Sequence, residues 1–138
     1  MGITEGHLDG TLSKSVEAQN GEEIGAPIHP MVQLVKQWLA RGEDVRIFTA
    51  RVNPNHGQVN ASRARRAIEA WCKRHLGQVL PITYEKDWDM GLLFDDRARQ
   101  VERDTGQVFG GHSREVVHRD KSMYPVVRAC QDGRERDK

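Results

Sequence analysis

Apolar positions repeat at helical spacing in two stretches of the chain. Met31, Leu34, Val35, Trp38 and Leu39 fall three or four residues apart after Pro30, and the run stops at Arg41-Gly42. That spacing lines one face of a helix, and proline at a helix start loses no needed N–H. A helix over 30–41 is therefore expected. The second stripe joins Ala64, Ala67, Ile68, Trp71, Cys72 and Leu76. It predicts a helix over 61–77, with Gly77 placed to cap it. Between the two, Val45, Ile47 and Phe48 form a short run of β-formers, as in a buried strand. Residues 51–60, RVNPNHGQVN, are rich in turn formers and read as a loop. Gln78–Glu85 and the apolar Gly91–Phe94 read as two further strands. Alternation of this kind predicts an α/β fold with a mostly parallel sheet flanked by helices.

The N-terminus fits that picture less well. A central strand of a parallel sheet is nearly all apolar, whereas MGITEG offers only Met1 and Ile3. Gly2, Glu5 and Gly6 are poor strand residues. Residues 13–29 read as a polar loop with two glycines. Beyond Gly106 the periodicity weakens, with a short helix expected near 113–119 and disorder in the last residues. This divides the chain into a domain over 1–110 and an extension over 111–138.

Composition narrows the classes. The chain has 138 residues, the size of one ordinary domain. Its formal net charge of +1 gives no overall field for nucleic acid or acidic membranes, so phosphate recognition must come from local arrangement. The two cysteines, Cys72 and Cys130, form no CxxC pair, which argues against a disulfide framework or a zinc knuckle. They read as reduced thiols of a cytoplasmic protein, with Cys72 in the core. No apolar run approaches the ~18 residues a membrane span needs, and no secretory signal opens the chain.

Chemistry-bearing residues fall where predicted strands end. They are Asp9 in LDGTL, Thr49 in IFTAR, Lys86 in TYEKD, and Asp95-Asp96 in LLFDD. In open α/β sheets the ligand crevice lies beyond the carboxyl ends of the strands. Carboxylates for a hard cation, and a hydroxyl and a cation for phosphate oxygens, make up a metal-assisted phosphoryl site. Each also has a plainer reading. Asp95-Asp96 suits an acidic turn, Thr49 a strand-end hydroxyl bonded to backbone, and Lys86 a surface lysine. Arg51, Arg63, Arg65 and Arg66 suit either a basic rim for phosphate or a solvated helix face. His56 suits a loop histidine, and HRD at 118–120 lacks any accompanying kinase feature.

Over residues 7–107 the four markers, in order, resemble the haloacid dehalogenase (HAD) superfamily of phosphatases, in its small members without a large cap. EEIGAPIHPMV, RIFTAR and LLFDDRA together resemble one subgroup of it. The resemblance implies a Rossmann-like fold and a magnesium-dependent phosphohydrolase acting on a small phosphorylated molecule, with nucleic-acid ends also able to enter an open site. It implies Asp9 as acid/base and Thr49 and Lys86 as phosphate ligands; beside them, Thr11 and Arg51 are expected to contact substrate. Asp9 through its backbone carbonyl, and Asp95 and Asp96 through their carboxylates, would hold magnesium together with the first carboxylate of the pattern. The family pattern is Asp-x-Asp-Gly-Thr, and its nucleophilic first aspartate is here His7. Imidazole can accept a phosphoryl group, but ~1 Å of misplacement can cost about a hundredfold. A shift of register would instead make Asp9 the nucleophile. The alternative to an enzyme is a pocket that binds a phosphate compound or a protein partner without turnover. His7 and the weak first strand favour that alternative; the downstream markers favour the enzyme.

Overall fold

The computed structural model describes residues 2–16 and 22–109. The chain forms two compact units, Met1–Asp96 and Arg97–Lys138. In the second, the described part holds an antiparallel bridge between Val101 and Val108, closed by a 2.7 Å bond from Glu102 N–H to the Gln107 carbonyl. The helix expected at 113–119, the rest of the C-terminal extension and Cys130 lie outside the described residues.

The first unit is α/β. Its strands are β1 (Ile3–His7), β2 (Val45–Phe48), β3 (Ile82–Thr83) and β4 (Met90–Phe94), and its helices are α1 (His29–Ala40) and α2 (Gln58–Leu76). The four strands form one sheet in the order β3-β2-β1-β4, with every pairing parallel. This is a Rossmann-like arrangement. Steps from β1 to β2 and from β2 to β3 move in the same direction, so right-handed crossovers bring α1 and α2 to the same face. Val45 and Ile47 meet Val32, Val35 and Trp38 of α1 there, and Ile68, Trp71, Cys72 and Leu76 of α2. The Trp38 and Phe94 rings lie 4.8 Å apart and extend this core to β4. Among the described residues no helix is long and apolar enough to cross a membrane.

Helix boundaries follow local chemistry. Pro30 sits in the first turn of α1. Gly77, at φ +81°, closes α2 in the left-handed conformation that glycine reaches without strain. α2 starts at Gln58, directly after Gly57, and so takes in polar residues expected to belong to the loop. Ala61 is buried, while Ala67 is only partly so.

Two expectations about strands are corrected. β3 is two residues long, not the span 78–85. It lies at a sheet edge and follows Pro81, whose ring carries no N–H for a ladder. Pairing reaches Pro81 only through its carbonyl, which accepts from Ile47 N–H at 2.9 Å. Conversely, the weak MGITEG segment is a central strand. Ile3, Thr4, Glu5 and Gly6 are all buried between β2 and β4.

Register shows how Glu5 comes to be inside. Thr4 pairs with Val45 and Glu5 with Arg46, so Glu5 and Arg46 lie on the face opposite Val45 and the helices. The connection 84–89 runs from β3 at one edge to β4 at the other with no helix, and Arg46 Nη1 donates to Asp87 Oδ2 along the way at 2.8 Å. Glu5 is fully buried, and neither carboxylate oxygen has a hydrogen-bond partner. Burial raises its pKa above the usual glutamate value; the Arg46 charge works in the opposite direction, and Asp87 adds to the rise.

Candidate functional site

Parallel strands present all their carboxyl ends at one edge. There β1 ends at His7, β2 runs into Thr49, and β4 runs into Asp95 and Asp96. His7 is in register with Phe48, and Gly6 with Phe94, so the three segments stop side by side.

The turn after β1 is built by backbone. The Leu8 carbonyl accepts from Leu12 N–H at 3.0 Å and from Ser13 N–H at 2.9 Å, and the buried Ser13 hydroxyl bonds the same oxygen. Leu8 and Leu12 are buried and anchor the turn in the core. Gly10 adopts φ +86°, and a β-carbon there would lie 2.7 Å from Asp96 Oδ2. Glycine thus serves both the turn and the close approach of Asp96. Thr11 completes the join: its hydroxyl donates to Asp96 Oδ1 at 2.8 Å, and Asp96 N–H donates back to the same hydroxyl oxygen at 3.0 Å.

His7 faces the same carboxylates. Its Nδ1 lies 3.3 Å from Asp96 Oδ1 and 3.8 Å from Asp95 Oδ1. One donor atom from each of the three residues falls within 4.8 Å of the others. The His7 and Asp95 side chains are 19% and 16% exposed and that of Asp96 40%, so water reaches the group.

Asp9 is engaged elsewhere. Arg51 grips it with two parallel bonds, Nε to Oδ2 at 2.8 Å and Nη2 to Oδ1 at 2.7 Å. The same guanidinium donates through Nη1 to the Glu23 carbonyl at 2.8 Å. Arg51, expected to touch substrate, here holds Asp9 and the 22–28 segment together. That segment is also fixed by Lys14 N–H to the Ala26 carbonyl and by the buried Trp71 indole N–H to the Gly25 carbonyl.

Thr49 shows its plainer role. It is 1% exposed, and its hydroxyl accepts from Arg51 N–H at 3.2 Å, capping the short 3-10 turn Ala50–Val52. A phosphate could reach it only if neighbouring side chains moved. Lys86 is exposed in the connection from β3 to β4, next to Asp87, and bonds to none of the residues above. Of the arginines on α2, Arg63 pairs with Glu22 at 3.6 Å and Arg65 reaches the Ile82 carbonyl at 3.4 Å. His56 is exposed in the second 3-10 turn.

The structure therefore brings His7, Thr11, Asp95 and Asp96 into one group and Asp9, Arg51 and Thr49 into an adjoining one. The Asp9–Arg51 pair was not legible beforehand, since 42 residues separate its members. The RIFTAR spacing, which carries β2 straight into Arg51, was the available signal. The donor set suits magnesium poorly. That ion prefers an octahedral shell of oxygens, whereas the clustered donors are one imidazole and two carboxylates.

Comparison of the chain with protein-family models, with curated proteins and with solved structures finds no match.

Proposed function

We propose that the chain is a phosphohydrolase of the HAD type, acting on a small phosphorylated molecule and slowed by histidine in the nucleophile position. One observation carries this reading. His7, Asp9, Thr49 and Asp95-Asp96 come from three different strands and stand at one carboxyl edge, where open α/β sheets bind ligands. In this reading Asp9 is the acid/base and His7 the group that faces phosphorus. Asp9 can exchange a proton with substrate only when Arg51 lets go of it. An incoming phosphate dianion competes for the guanidinium, because bidentate arginine suits phosphate as well as carboxylate. Arg51 then passes from Asp9 to substrate, and Thr11 keeps Asp96 in place.

A second reading, binding of a phosphate compound without turnover, is favoured by a separate observation. Both oxygens of Asp9 are already satisfied by Arg51, and His7 faces Asp95 and Asp96.

Release of phosphate from p-nitrophenyl phosphate, measured for the native chain, His7→Asp and Asp9→Asn, separates the two. Slow native turnover that Asp9→Asn abolishes and His7→Asp raises supports the hydrolase. Turnover by His7→Asp alone supports the binding role. Inactivity of all three chains, with no phosphate binding by calorimetry, refutes both.

A further inference from the structure

We propose that the solvent face of α1 and α2 is a docking surface for duplex DNA, held through its phosphate backbone by Lys36, Arg66, Lys73 and Arg74. The face is built from helix residues, not from strand ends, and the inference does not need the chain to hydrolyse anything.

Charge in this chain is segregated. The two helices hold six of the 21 lysines and arginines but only one, Glu69, of the 20 aspartates and glutamates. A net charge of +1 therefore hides a basic helix layer set against an acidic remainder. An ordinary solvated face mixes the two signs. Other cations of the chain are neutralised, with Arg41, Arg46 and Arg51 each paired to a carboxylate. Among the described residues no carboxylate pairs with Lys36, Arg66, Lys73 or Arg74, and all four are exposed.

Helical geometry puts these cations together. At 3.6 residues per turn, Arg63, Arg66, Lys73 and Arg74 fall within about 100° of arc and spread over about 16 Å of the α2 axis. Lys36 of α1 joins them across the helix pair. With Arg74 and His29 it acts on the half-buried His75, whose ring stands 4.8 Å from that of Trp71. Burial first, and then the charges of Arg74, His29 and Lys36, hold His75 below the usual histidine value.

The occupant follows from this pattern. Duplex DNA carries one negative charge per about 1.7 Å of axis, so a line of this length meets several phosphates. Arginine engages phosphate bidentately and lysine as a point charge. Single strands are bound on exposed aromatic platforms, and both tryptophans of the helices are buried. Seating in an acidic bilayer needs an apolar face, and those of α1 and α2 are taken up by the core. Backbone contacts carry no sequence information, so binding should be independent of sequence.

The test is fluorescence anisotropy of a short labelled DNA duplex with the full chain. All duplex ends carry hydroxyl groups, so no terminal phosphate is offered to the carboxyl edge of the sheet. Binding should weaken with salt at a log–log slope of about −3.6, the value for four neutralised phosphates. Arg66→Gln combined with Lys73→Gln should weaken binding at least tenfold at low salt and bring the slope to about −1.8. Both are exposed helix positions and glutamine keeps helix propensity, so this variant should fold. Its rate on p-nitrophenyl phosphate should equal that of the native chain, whatever that rate is, which tells failure of this inference from failure of the hydrolase reading. In the native chain the His75 ring should titrate at higher pH with duplex bound, because phosphates offset the positive charges beside it. Absence of saturable duplex binding at about 50 mM salt, unchanged affinity and slope in the folded variant, or an unmoved His75 ring at saturation overturns the inference. So does tighter binding to a single strand or to phosphatidylserine vesicles than to duplex.

Discussion

Glu5 offers the sharpest test of how this sheet is held together. Its carboxylate is fully buried with both oxygens unpaired, and the adjacent Arg46 Nε is unpaired as well. Replacing Glu5 by Met keeps a long unbranched side chain and removes the unsatisfied group. A buried polar group without a partner costs about 1–3 kcal/mol. Against that stands the lost attraction to Arg46, which is itself already bonded to Asp87 and Asp44. Desolvation is the largest influence on Glu5 and outweighs the Arg46 charge, so the net change should be a gain. We expect Glu5→Met to raise stability by about 1–2 kcal/mol at pH 7, or ~4–8 °C in Tm for a domain of this size. The sign with pH follows from linkage. The folded pKa is raised, so the folded chain holds this proton more tightly than the unfolded one. The native chain therefore loses stability as pH rises through the folded pKa. The advantage of Glu5→Met should be largest at neutral pH, shrink as pH falls through the raised folded pKa, and be smallest below the ordinary glutamate value of 4.5. Thermal and urea unfolding at pH 7 and pH 4 measure both effects. A loss of more than ~1 kcal/mol at pH 7, or a difference that does not change with pH, would show that the Glu5–Arg46 attraction dominates and refute the reasoning.

Three further outcomes follow from the geometry. Arg51→Met should cost about 2–3 kcal/mol, below the range for a fully buried pair because Asp9 and Arg51 are partly exposed; in a double-mutant cycle with Asp9→Asn the coupling should exceed ~1 kcal/mol, and near-additivity would mean the bidentate contact contributes little. Gly10→Ala should destabilise by about 1–3 kcal/mol through its positive φ and its approach to Asp96; Asp96→Ala should restore part of that loss, and no restoration would remove the steric part of the explanation. Cys72 is fully buried, with its thiol pushed up to about 11 by burial; in a Cys130→Ser chain it should stay unmodified by a thiol reagent at pH 8 until the protein unfolds, and rapid labelling of the folded chain would contradict its place in the core.

Much of the architecture was legible in the sequence because it rests on local periodicity. The stripes of α1 and α2 declare themselves within ten to twenty residues, and Gly77 marks the end of α2 where a left-handed residue is needed. What sequence hides is tertiary. Glu5 looks misplaced in a strand until Arg46 arrives beside it in register and the 84–89 connection crosses the sheet. Gln78–Glu85 suggests a strand, but Pro81 has no N–H for a ladder and β3 lies at the edge, so only Ile82 and Thr83 pair. At the carboxyl edge the order of markers was readable, while their pairing was not. His7 meets residues 88 and 89 positions away, and Arg51 turns to Asp9 and away from solvent.

That long reach has a kinetic consequence. β1 and β4 are the first and last strands in sequence yet neighbours in the sheet, so their pairing closes a loop that spans α1, β2, α2 and β3. Contacts that close so large a loop form late, because loop-closure entropy is lost before they reward it. The His7–Asp95–Asp96 cluster is stitched across that last seam. It comes into being only when β4 pairs with β1, and the contacts it adds slow the departure of β4 more than they speed its arrival.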